Sequence, residues 1–361
     1  MNLLATLLLA TVALSAAQAQ SVDWPDYGPK REGLRLEGLT NTVPDIVGPI
    51  DGSARLTVFT EGNHYPVFLP LVLDGFPAWC RESGRCDVAA EDILVVTLPQ
   101  VMIVEALEGG GIVLGNAVLP IARSGAVFPD VVIGGEGPLR RLAQSGVVGD
   151  TAIVFAKHRG LGLLVRRGPA IDSLEDLAAS AAQIVVATPN EAGARRQYLA
   201  TLRALLGEPA TDELLSRAVD TWPGRLGIQH RDVPYALLNG HADAGIVFGH
   251  LASFYSRVYP EELRFVPVPK AAPFGQEIAL ARTGRSAEIA AAFEEFLLGR
   301  AATAYPAGGF ADIAATRLGK AFALDRSERR SVGDPAENSQ LVAPLMKRRI
   351  QAGLREFRAG R

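Results

Sequence analysis

Four times along this chain a short apolar, β-rich run breaks into a polar or small-residue loop and then resumes with helical periodicity. The first is Ala54-Arg-Leu-Thr-Val-Phe-Thr-Glu-Gly-Asn-His-Tyr-Pro-Val-Phe68. It predicts a strand ending at Phe59, a loop of Thr60, Glu61, Gly62, Asn63 and His64, and a helix from Tyr65 or Pro66. The run from Pro129 through Gly134, Gly135 and Glu136, the run from Ile184 through Thr188 to Gly193, and Ala244–Phe248 end in the same way. Strands alternating with helices imply an α/β fold with mainly parallel sheets. In such sheets ligands sit beyond the carboxyl ends of strands, where helix N-termini and loop amides point. The four loops are therefore expected to share one ligand.

At 361 residues the chain is long for one domain and comfortable for two. There are too many predicted strands for one small sheet. A net charge of −3, with Lys and Arg spread along the chain, gives no mark of a nucleic-acid binder.

Asn2 to Ala19 is apolar and ends in Ala17-Gln18-Ala19, the small-x-small pattern of an export signal. Residues 1–19 thus read as a signal peptide, with a membrane anchor as the alternative. Residues 20–52, rich in Pro, Gly and Asp, read as an extended arm. Residues 326–361 read as a polar helical tail whose basic end is either solvated or a docking patch. The two cysteines, Cys80 and Cys86, flank a Ser-Gly turn; in an oxidising compartment they predict a local disulfide, since zinc would need two further ligands. Between them and the first strand, Val67 to Gly75 reads as a helix interrupted at Pro70 and closed near Gly75. Further on, Asp172 or Ser173 is expected to cap a helix.

With export, two α/β lobes and ligand loops in hand, the chain resembles the periplasmic solute-binding proteins of ABC importers, most closely the molybdate-binding type. The resemblance runs from about Arg55 to Phe310. It rests on Leu-Thr-Val-Phe-Thr-Glu-Gly-Asn63, Pro129-Asp-Val-Val-Ile-Gly-Gly135, Ser173-Leu-Glu-Asp-Leu-Ala, Ala187-Thr-Pro-Asn-Glu-Ala-Gly193 leading to Tyr198, His241-Ala-Asp-Ala-Gly-Ile-Val-Phe248, and Phe296-Leu-Leu to Gly309-Phe310. It implies a two-lobed periplasmic-binding-protein fold of type II with two crossing hinge strands, near Gly160 to Val165 and Pro269 to Gln276. Residues 53–160 with 277–325 would form lobe I, and 165–268 lobe II. It also implies a periplasmic monomer that binds a small ion without a cofactor and meets an ABC permease in the inner membrane.

By the same resemblance the ligand loops carry Thr60, Glu61, Gly62, Asn63, Gly134, Gly135 and Glu136 from lobe I, and Ala192, Gly193, Asp232, Val233 and Phe248 from lobe II. Backbone N–H groups at helix N-termini would bind an oxyanion of the molybdate, tungstate or sulfate type. This chain departs from that pattern, with Asn63, Gly134 and Phe248 where hydroxyls and a tyrosine are expected. Glu61, Glu136, Glu191 and Asp232 stand nearby, and a carboxylate facing an anion repels it. A second reading assembles a nitrogen-and-oxygen metal site from Glu61, His64, Glu136, His230 and His250; a third has these side chains capping helices or facing outward. A ligand sensor for a membrane receptor is an alternative in another class. No nucleophile elbow, Walker loop or zinc-protease motif is present, so no enzyme is expected.

Overall fold

The computed structural model describes residues 46–114, 117–121, 127–219, 229–313 and 318–324. The export segment, the arm up to residue 45 and the tail lie outside them. Two sheets organise the rest.

The first sheet begins with β1 (Ile46–Val47), β2 (Leu56–Glu61) and β3 (Ile93–Leu98). β2 and β3 run parallel in register, Leu56 beside Ile93 and Glu61 beside Leu98. Their side chains alternate between two cores: Leu56, Val58, Ile93 and Val95 face one, and Phe59, Leu94 and Val96 the other. Both faces are covered, which is why these strands read as continuous apolar runs. β1 pairs antiparallel with β3, so the expected arm gives its last residues to the sheet edge.

The segment after β2 corrects the sequence reading. Helix α1 (Tyr65–Pro70) does not end at Gly75 but passes through a π-helical turn, Leu71–Gly75, into α2 (Phe76–Ser83). Pro77 has no N–H for the Leu73 carbonyl, and the ladder widens there, with the Phe76 N–H reaching the Leu71 carbonyl. The helix stops where Gly84 takes a left-handed conformation, φ 65°. Cys80 lies on this helix and is bonded to Cys86 across a Cα–Cα distance of 4.7 Å.

Helix α3 (Gln100–Gly109) leads to a small hairpin, β4 (Gly111–Leu114) with β5 (Ala117–Pro120), that the sequence pattern did not reveal. β6 (Val131–Gly134), α4 (Glu136–Gln144) and β7 (Thr151–Lys157) complete this part of lobe I.

The chain then crosses through His158-Arg159-Gly160 into β8 (Leu161–Arg166), which already belongs to the second sheet. There follow α5 (Leu174–Ala179), capped by the Ser173 hydroxyl on the Asp176 N–H, β9 (Ile184–Val186), α6 (Ala192–Leu206), α7 (Glu208–Ser216) and β10 (Ala218–Val219). α7 stops at Ser216, and Ala218 and Val219 pair as a short strand with Ile184 and Val185. α8 (Val233–Leu238), β11 (Ala244–Phe248), α9 (Gly249–Val258) and β12 (Leu263–Val266) close lobe II.

The return passes through a 3-10 turn, Pro269–Phe274, to β13 (Glu277–Arg282), which inserts between β6 and β7. α10 (Ala287–Ala307) and the edge strand β14 (Ala321–Ala323) follow. The two crossings touch backbone to backbone. A Cβ on Gly160 would lie 2.1 Å from the Ala271 carbonyl oxygen, and one on Gly275 1.8 Å from that of His158. Among the described residues no helix is long and apolar enough to cross a membrane.

The Cys80–Cys86 bond closes a short loop, with a sequence separation of 6. Replacing both cysteines by alanine is expected to lower unfolding free energy by about 2 kcal/mol, read from the urea midpoint. An unchanged midpoint would show that α2 holds this loop without the bond.

Candidate functional site

Where β2 ends, the chain delivers Glu61, Gly62 and Asn63 to the interior rather than to solvent: Glu61 and Asn63 are each 5% exposed. Across the cleft, the start of α6 brings Glu191 and Gly193, the loop before α8 brings His230, and the end of β11 brings Phe248. Between these groups lies a cavity of about 1010 Å³. His158, in the first crossing, also lies on its wall, as do Gln100, Gly135, Glu136, Gln197 and Gln276.

Glu61 is the most constrained group here. Its Oε1 accepts from His158 Nε2 at 3.1 Å, and its Oε2 accepts from the Gln100 amide. Burial pushes its carboxyl up, but the hydrogen bond and charge of His158, helped by His64 and Asn63, outweigh it and hold it below the ordinary carboxylate value. Glu191 makes a second buried acid. Its Oε2 accepts the His230 N–H at 2.7 Å, and its Oε1 stands 2.7 Å from His230 Nδ1, an ion-pair distance without hydrogen-bond alignment. Both charges reach Tyr198: burial first, then Glu191 and Glu61, raise its phenol well above the usual value. Phe248 packs among these groups, its ring 4.5 Å from His158, 5.0 Å from Tyr198 and 5.6 Å from His230.

Several expected residues stand elsewhere. The Thr60 hydroxyl turns away from the cleft, donating to the Glu61 carbonyl and pairing with His64 Nε2. His64 Nδ1 meets the Tyr305 hydroxyl at 2.7 Å, so both ring nitrogens are engaged in the core. His250 Nε2 donates to the Asn63 carbonyl at 2.9 Å, and its ring stacks on Phe310 at 3.8 Å. Gly134 packs on Gln100, and Val233 lies against Gly245 of β11. Asp232, fully buried, accepts the Gln229 N–H. Glu136 lies on the cavity's rim, exposed and bonded to Arg140. Ala192 opens α6.

The proposed metal set therefore does not converge: His64 and His250 are spent on lobe I groups, and Glu136 stays at the rim. Among the described residues no group of three or more His, Cys, Asp or Glu is arranged to hold a metal ion.

The sequence reading missed His158 and Arg231. Arg231, from lobe II, is 1% exposed and reaches into lobe I, where Nε donates to the Gly62 carbonyl at 3.1 Å and Nη2 to the Thr97 carbonyl at 2.9 Å. Its guanidinium lies 5.8 Å from the centre of the Tyr65 ring. A Cβ at Gly62 would sit 1.4 Å from Nη2, so glycine there admits the arginine. The Tyr65 and Tyr255 hydroxyls meet across the same boundary. These contacts join the second sheet's half of the chain to the first.

Two predictions follow from this geometry. Gly62→Ala is expected to expel the Arg231 side chain, losing charged hydrogen bonds of about 1.5–3 kcal/mol each. Small-angle scattering should then show a larger radius of gyration than for the parent chain; an unchanged radius would rule out the clamp. The second concerns His64, whose pKa burial lowers from 6.5 to about 3, against the pull of Glu61. Its unfolded form takes up the proton first, so stability is full above pH 6.5 and falls as pH drops toward 3, by up to about 1.4 kcal/mol per pH unit. His64→Gln should flatten the fall of the urea midpoint between those limits, and an equal slope in both proteins would refute it.

The profile of the bacterial extracellular solute-binding protein family matches residues 114–307. The sulfate-binding protein SubI of Mycobacterium tuberculosis is similar in structure, with a TM-score of 0.51, 17% identity, and coverage of 73% of this chain and 88% of that one. The periplasmic molybdate-binding protein of Azotobacter vinelandii aligns over 72% of this chain and all of its own (100%), at 18% identity and a TM-score of 0.47. Iron-bound HitA of Pseudomonas aeruginosa aligns over 83% and 99%, at 14% identity and a TM-score of 0.44. No curated protein matches the sequence.

Proposed function

Because the chain belongs to the bacterial extracellular solute-binding proteins, a family of binding proteins and not of enzymes, we propose that it captures one small solute between its lobes and delivers it to an ABC importer. It is exported to the periplasm by residues 1–19 and works there as a monomer. Residues 53–160 with 277–325 make one jaw, and 165–268 the other. The contacts come from Glu61, Gly62, Asn63, Gly135, His158, Glu191, Gly193, His230 and Phe248.

The observation that carries this reading is the interlobe cavity of about 1010 Å³, whose wall combines the ends of β2 and β11, the start of α6 and the first crossing. A solute touching all of these favours the closed arrangement over the open one by its difference in affinity for the two. The closed surface is then what a permease recognises.

The test uses the chain purified from its own periplasm. Native mass spectrometry should show a retained small molecule, and a strain lacking the chain should lose uptake of that molecule. Undiminished uptake would overturn delivery to an importer and assign the chain to a membrane receptor instead.

A further inference from the structure

Resting on that reading, the chemistry of the wall narrows the solute. The buried acids that face the cavity are Glu61 and Glu191, each against a buried histidine, His158 and His230. The buried guanidinium nearby, Arg231, is not on the wall and is committed to the carbonyls of Gly62 and Thr97. Four cations also border the cavity: Arg140 is paired with Glu136 and Arg141 with Glu108, while Arg196 and Lys320 are exposed, where solvent screens them.

A second observation is independent of charge. The Oδ1 of Asn63 is buried with no hydrogen-bond partner. His158, bonded to Glu61 through Nε2, has a buried and unpartnered Nδ1, and both residues line the cavity. Each Glu61 oxygen holds one partner and has room for another. His230, also on the wall, leaves its ring nitrogens without hydrogen-bond partners, so the site offers one imidazole donor as well. The Asn63 oxygen and the open lone pairs of Glu61, beside a second carboxylate, call for a ligand rich in donors. An oxyanion would instead face two buried negative charges. The volume, moreover, is that of a site for an organic molecule rather than for a bare tetrahedral ion. Phe248, on the wall and packed on the histidines that partner the two acids, supplies an aromatic surface that attracts a cation.

We propose that the solute is a small organic cation carrying N–H donors, a protonated amine or guanidinium, whose charged head lies between Glu61 and Glu191 against the Phe248 ring. Asn63 Oδ1 accepts from the same head.

The full exported chain, freed of retained solute by mild denaturation and refolding, is titrated calorimetrically with 1,4-diaminobutane, agmatine and methylguanidinium. Sulfate, molybdate, ferric citrate and tetramethylammonium are run beside them. At least one N–H cation should bind and raise the melting temperature, and tetramethylammonium, which has no donors, should not. Glu61→Gln and Glu191→Gln should each weaken that binding by about 10- to 100-fold. If Glu61→Gln does not refold by circular dichroism, Glu191→Gln decides alone. Silence toward all three N–H cations, or equal binding by the folded variants, overturns the cation. If sulfate, molybdate or iron binds instead, or native mass spectrometry finds another retained molecule, solute capture survives. If no probe binds and nothing is retained, capture falls as well.

Discussion

A carboxylate removed from water at the end of a central strand has to be met by donors fixed in place, and Glu61 sets that requirement here. Gln100 answers it from the first turn of α3 and His158 from the first crossing. Asn63 answers it from the next turn of the same chain. Each donor belongs to a different element, so the position of one charge ties the register of β2 to the neighbouring helix and to the hinge. The bare loop amides that would cradle an anion in such a scaffold are here accompanied by buried acids.

The lobe boundary follows a similar economy. Arg231 brings its guanidinium to two backbone carbonyls and an aromatic face of the other lobe. Buried cation–carbonyl contacts lose much when one partner withdraws. A boundary built this way therefore favours two distinct positions over a continuum.

Much of the scaffold was legible because it is written locally. The alternation of apolar runs with helical periods located β2, β6, β9 and β11, and Ser173 stood where a cap was needed. The failures have physical causes. Pro70 and Gly75 ordinarily break helices, yet a π turn carries the helix past them. β1, β10 and β14 are two or three residues long and exist only through partners distant in sequence. The site was harder still. His158 meets Glu61 only because the fold joins residues 97 apart. Arg231 finds its acceptors 169 and 134 residues away. His64, attractive as a ligand from its loop, is absorbed by Tyr305 at a separation of 241. Side-chain direction, which no periodicity encodes, decided which loop residues face the cavity.

The packing of the crossings has one further consequence. Gly160 and Gly275 let the two connecting strips lie against each other without side chains between them, and His158 belongs to one of those strips. The imidazole on the cavity wall is thus carried by the connection between the lobes and not by either lobe. Under the proposed capture, grip and pivot would share a single backbone, and the angle between the lobes would gauge what the imidazole holds.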